Sequence, residues 1–236
     1  MITSFLFLHL LLAQPADSAF TLQISPIADG FYVHTSFAML GGSPYPSNGL
    51  VAETQEGVVV IDTPWDTAQS SQLLDWITAN LKKKVLCCIV THTHADRIGG
   101  IEVFRRRGIR VLSTPLTAKH ALERGFLEPE PVLTNDTVLT WGNLKAECFF
   151  PGGGHTDDNI VVWFPAERIL FGGCFVKSTD VNGLGNIADA DLAAWPESIH
   201  SIIRKFPDHR IVIPGHEGWR DNGSLEHTLD LLKKVK

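Results

Sequence analysis

Apolar and polar positions along the chain follow two rhythms that alternate twice. Short apolar or alternating runs at residues 20–24, 31–35, 50–53 and 58–62 predict strands. Residues 41–49, rich in Gly, Pro and Asn, predict a loop or hairpin tip between two of them. A helix follows, with Thr67 in its N-cap region and Leu73, Leu74, Ile77 and Leu81 at helical spacing. The run at 87–91 is then a buried strand. The second half repeats this grammar. Strand-like runs at 137–141, 145–150, 160–164 and 169–171 precede a helix opened by Trp195-Pro196, whose inner face is Ile199, Ile202, Ile203 and Phe206. A strand at 210–213 runs into Pro214-Gly215-His216, and a last helix carries Leu225, Leu229 and Leu232 on one face. Two blocks of strands followed by helices imply an α/β protein built as an αββα sandwich, two sheets face to face with helices outside. No repeat is visible in the residues themselves.

Composition narrows the function classes. A chain of 236 residues suits one large domain, expected over residues 19–236. The formal charge of −6 speaks against nucleic acid, because neutralising phosphates needs clustered Lys and Arg. The basic runs at 82–84 and 105–107 are expected at helix ends, where cations suit the dipole and solvent. The apolar run at 5–13 is too short to span a bilayer and is followed by small residues. It resembles a signal peptide over residues 1–18, cleaved after Ser18 with Ala16 at the −3 position, although no Lys or Arg precedes it. A soluble, exported, monomeric chain without a membrane anchor, placed in a periplasm, is the expectation. Cys87 and Cys88 fall in one strand and should point to opposite faces as packed thiols, with Cys148 in another strand.

The chemistry is concentrated in Thr91-His92-Thr93-His94-Ala95-Asp96-Arg97, directly after a strand. Two histidines and a carboxylate two apart cannot share one helix face, but on a loop they can converge on a metal that takes nitrogen and oxygen donors. Alone, this motif is equally compatible with a structural zinc site. Three further strand ends display one donor each after small residues: Gly152-Gly153-Gly154-His155, Gly172-Gly173-Cys174 and Pro214-Gly215-His216. Packing alone does not explain four such displays on one chain.

With these motifs, and with Asn48-Gly49-Leu50, Ile61-Asp62-Thr63-Pro64-Trp65 and Gly154-His155-Thr156-Asp157-Asp158-Asn159, the chain resembles the metallo-β-lactamases of subclass B1 from about Ile24 onward. The resemblance implies two zinc ions per chain, one held by His92, His94 and His155 and one by Asp96, Cys174 and His216. It implies hydrolysis of the β-lactam amide of penicillins, cephalosporins and carbapenems by a zinc-bound hydroxide, with no covalent enzyme intermediate. Lys177 is expected to hold the substrate carboxylate and Asn186 to help stabilise the oxyanion, so that Asp96, Asn186 and Lys177 take part in turnover. Phe37 and Trp65, with Met39 and Tyr45, are expected to form a flap and wall over the substrate. Arg97 separates this branch from related thioester hydrolases and nucleases, which place a ligand there. A guanidinium has no lone pair to give, and Cys174 supplies the missing donor instead. Arg97 and Asp62 are then expected behind the ligands, orienting Asp96. The rival readings are a thioester, lactone or phosphodiester hydrolase of the same fold, and a zinc-sequestering protein without activity.

Overall fold

The computed structural model describes residues 20–235, so the predicted signal segment at 1–18 lies outside the described residues. One sheet has six strands in the order β1 (Gln23–Ala28), β2 (Phe31–Leu40), β3 (Ser43–Glu53), β4 (Val58–Ile61), β5 (Val85–Ile89) and β6 (Arg110–Leu112). The other has five, in the order β11 (Ile211–Pro214), β10 (Ile169–Gly173), β9 (Val161–Phe164), β8 (Leu144–Phe149) and β7 (Asp136–Trp141). Pairings β4–β5, β5–β6 and β10–β11 are parallel and the rest antiparallel, so both sheets are mixed.

Alternation along the strands sorts the side chains into three apolar layers. Val59, Ile61, Cys87 and Ile89 point between the sheets, where they meet Cys148, Val162, Phe164 and Phe171. Val58, Val60 and Cys88 point the other way, onto Leu73, Leu74 and Ile77 of helix α1 (Thr67–Trp76) and the turn after it, and onto Phe104 of α3 (Ile101–Arg106). On the far side, Val161, Trp163, Leu170 and Val212 pack against α5 (Trp195–Lys205) and α6 (Ser224–Lys234). The result is the expected αββα sandwich. Cys87 and Cys88 lie in different layers, and all four cysteines are free and buried.

Three details differ from the sequence reading. Residues 43–49 are not loop: they form the first half of β3, paired with β2 out to Leu40–Ser43. Only Gly41 and Gly42 make the turn, both with positive φ (58° and 83°), the geometry of a two-residue hairpin. Pro44 and Pro46 are tolerated because this stretch projects beyond β4, so on that side no paired strand asks them for an N–H. Asp66 rather than Thr67 caps α1, its carboxylate accepting the Gln69 N–H at 2.7 Å. The short turn α2 (Ala95–Ile98), β6 and α4 (Pro115–Glu123) were not anticipated, being too brief to show a period.

Candidate metal centre

The four donor displays all sit where strands of the sandwich run out. His92 and His94 follow β5, with Asp96 and Arg97 on the single turn α2. His155 lies between β8 and β9, in a loop shaped by Asn159, which accepts the Thr156 N–H and donates to the Gly152 carbonyl. Gly154 leaves room there for the Phe175 ring, which a Cβ would strike. Cys174 follows Gly173, whose φ of 55° turns the chain out of β10, and His216 follows β11.

These six residues meet as two trios. His92 Nε2 is 3.3 Å from His94 Nδ1, which is 3.1 Å from His155 Nε2, and the three rings stand edge to face. Cys174 Sγ is 3.2 Å from Asp96 Oδ2 and 3.1 Å from His216 Nε2, with 3.3 Å between the last two. His92, His155 and Cys174 also lie within one 4.8 Å grouping, which joins the trios. Donors bound at zinc distances on a tetrahedral ion lie about 3.3–3.6 Å from one another, so the three edges of the mixed trio, and the two edges of the histidine trio that meet at His94, are close to those of a zinc face.

Protonation favours metal as well. Burial pushes His92 and His155 well below the usual imidazole value and His216 down to about 4, leaving lone pairs to donate. Burial would push the Asp96 carboxyl up, but Arg97 and His216 hold it well below the usual range, so it is a carboxylate. Burial pushes the Cys174 thiol up.

Arg97 is fully buried and spends its donors on the scaffold. Nε and Nη2 hold Asp96 at 2.8 and 2.7 Å, Nη2 also reaches the Gly215 carbonyl at 2.7 Å, and Nη1 reaches the Asn48 carbonyl at 2.5 Å and Asp62 at 3.3 Å. Asp62 accepts from Thr91 N and Oγ1 as well, while burial pushes its carboxyl up to about 7 against Arg97. Both residues thus lie behind Asp96, with Arg97 hydrogen-bonded to it and to Asp62. Asn48 bolts the two sheets together, donating to the Pro214 and Glu217 carbonyls, and His216 Nδ1 donates to the Pro46 carbonyl at 2.7 Å.

A cavity of about 640 Å³ opens above the trios, lined by His94, Asp96, His155, Cys174, His216, Tyr45, Trp65, Lys177 and Asn186. Lys177 is 7% exposed, with Nζ 5.3 Å over the Trp195 ring, so it is no ordinary solvated lysine. Burial lowers its pKa. The Asn186 Oδ1 takes the Ala188 N–H, so what Asn186 can offer a substrate is its amide NH2. Phe37 and Met39 are the exceptions among the expected flap and wall residues: Phe37, whose backbone Gln69 holds, lines the neighbouring cavity with Gln23, Pro46 and Trp219, and Met39 is exposed near the hairpin tip and does not line the cleft. Leu40 and Arg124 line the cleft unforeseen. So does the role of Asp189, which receives His94 Nε2 at 2.8 Å and Arg124 at 3.0 Å. The first of these contacts spans 95 residues of chain, and no spacing rule reveals it.

Comparison with known proteins agrees with this architecture. The model of the metallo-beta-lactamase superfamily matches residues 42–216. The metallo-beta-lactamase type 2 of Bacillus cereus is 45% identical over 213 residues, covering 90% of this chain and 83% of the relative. A metallo-beta-lactamase structure from Pontibacter korlensis superposes with a TM-score of 0.88 at 42% identity, covering 90% of this chain and 99% of that one. The metallo-beta-lactamase FIM-1 of Pseudomonas aeruginosa, solved in a mono-zinc form, gives 0.85 at 32% identity, over 94% and 99%. The chain belongs to the metallo-beta-lactamase superfamily.

Proposed function

We propose that this chain is a zinc-dependent β-lactam hydrolase of subclass B1. It binds two zinc ions, one at His92, His94 and His155 and one at Asp96, Cys174 and His216. The observation that carries the reading is the meeting of six donors at one cleft: Asp96, Cys174 and His216 within 3.3 Å of one another, and His92 and His155 each within 3.3 Å of His94. Each trio offers three protein donors and leaves positions open to water and substrate, which suits catalysis rather than sequestration. Zinc held there would lower the pKa of a water toward neutrality and polarise the lactam carbonyl.

The chain's own groups do the rest. Lys177 presents the one ammonium lining the cleft and pairs with the carboxylate beside the lactam nitrogen. The Asn186 NH2 donates to the carbonyl oxygen as negative charge builds on it. Trp65 and Tyr45 cover the apolar side of the substrate, and the β2–β3 hairpin can bend over it at Gly41-Gly42. The arginine at 97 and the thiol at 174 favour this branch over thioester hydrolases and nucleases.

No described helix is long and apolar enough to cross a membrane. The leader-like run at 5–13 supports export to a periplasm, and a single domain over 19–236 working as a monomer is part of the same proposal. The test is hydrolysis of a chromogenic cephalosporin and a carbapenem by the purified chain, with and without a zinc chelator. Turnover lost with chelator and regained with zinc is the expected result. A chain carrying two zinc ions that opens neither ring would sink the proposal.

A further inference from the structure

His34 and the Asn48-Gly49 pair supply no donor to either trio, yet they lie directly behind one of them. His34, on β2, is 1% exposed and pairs across the sheet with Gly49. Its ring fills the place a Cβ on Gly49 would take, so glycine is required there. From that position Nε2 faces two main-chain oxygens, Ile61 at 3.4 Å and Asp62 at 3.2 Å. Asp62 leaves β4 with a φ of 61°, a left-handed conformation that a non-glycine residue holds only when its surroundings enforce it. Asp62 then takes Arg97 and Thr91 on its carboxylate, and Arg97 grips Asp96.

We propose that His34 is a positioning residue: as a neutral imidazole it donates its Nε2–H to the Ile61 and Asp62 carbonyls, fixes the left-handed turn at Asp62, and so sets Asp96 through Arg97.

Three features support it. Two converging carbonyls can be served only by an N–H, which fixes the tautomer. The ring stays neutral at working pH, since burial, with Arg97 nearby, brings it down to about 4. Its Nδ1 has no partner among the described residues. A ring kept only for packing would be better apolar than left with an unsatisfied buried nitrogen, so it is the N–H on the other side that matters.

The inference rests on the reading that Asp96, Cys174 and His216 hold a metal, and cobalt(II) separates the two. Cobalt at that trio gives a thiolate-to-metal charge-transfer band through Cys174, which can be titrated without substrate. His34→Phe keeps the ring and loses the N–H, whereas His34→Gln carries an amide N–H to nearly the same point. The phenylalanine variant should titrate the thiolate band at least about tenfold more weakly, with its circular dichroism unchanged, and the glutamine variant should recover most of that loss. A phenylalanine variant that titrates like the parent, or a glutamine variant no better than it, overturns the proposal. If His34→Phe does not fold, His34→Asn takes its place, because its shorter amide stops short of both carbonyls. A parent chain with no thiolate band would instead sink the metal reading, and this inference with it.

Discussion

The two donor trios sit side by side on one cleft floor but are supported in different ways. His92, His94 and His155 are supported by one another and at the cleft rim. Their rings brace one another edge to face, His94 leans on Asp189 at the rim, and His155 Nδ1 has no partner among the described residues. Asp96, Cys174 and His216 are supported from across the molecule. Arg97 ties α2 to β3, to Asp62 and to the loop before His216, while Pro46 takes His216 itself. The nitrogen trio therefore has a support that loop contacts can loosen, and the mixed trio has one that is part of the core. Its three kinds of donor differ in charge, and a buried cation behind them is what lets a carboxylate persist beside a thiol.

Removing that cation should have the largest effect. Arg97→Met leaves the Asp62 and Asp96 carboxylates buried without their partner, which costs about 3–5 kcal/mol when one member of a buried pair is deleted. Chemical denaturation of the metal-free chain checks this, and a loss under about 1 kcal/mol would mean that the guanidinium is not what holds the mixed trio together. A smaller and more selective effect is expected at the rim. Asp189→Asn keeps the shape but removes the charge on which His94 leans, and an altered partner behind a metal-binding histidine typically costs about tenfold or more in metal affinity. Competition with a chelator should show that loss at the nitrogen trio, with the thiolate-to-cobalt band titrating unchanged. Equal weakening at both sites would mean that the two supports are not separate.

The donors were legible in the sequence and their supports largely were not, for a physical reason. His155, Cys174 and His216 each follow a strand end and small residues that let the backbone turn, and His92, His94 and Asp96 stand two apart just after a strand, so the six announce themselves over a few positions. The layers were legible too, because two blocks of strands followed by helices imply two sheets with helices outside, whereas the all-apolar run Val58-Val59-Val60-Ile61 does not itself say which side chains face the other sheet. Asp189, Arg124 and His34 carry no such local mark. Each acts on a residue at least 27 positions away, and only the folded sandwich brings them together. The run at 41–49 misled for the opposite reason: its Gly, Pro and Asn read as loop, whereas two positive-φ glycines suffice for the turn and the prolines sit where β3 has no strand on its β4 side.

The smallest expected effect concerns protons. Burial keeps His92, His155 and His216 neutral near pH 7, so a metal would take their lone pairs without displacing a proton. Asp96, held low by Arg97, is already ionised. Cys174 differs: burial raises its thiol above an ordinary value of 9.0, so near pH 7 the thiol keeps its proton until metal binds as thiolate. The sign follows directly. Affinity of the mixed trio should rise about tenfold for each unit of pH as long as the thiol is the group losing a proton, while affinity of the nitrogen trio should barely change above the usual imidazole range. Calorimetric metal titrations in two buffers of different ionisation enthalpy count the protons. Cys174→Ser should release about one fewer per chain than the parent. An unchanged count would mean that the thiol is already ionised before metal arrives. In that case Arg97, with Lys177 near it, would outweigh burial at the sulfur, and the charge difference between the two trios would exist before either is loaded.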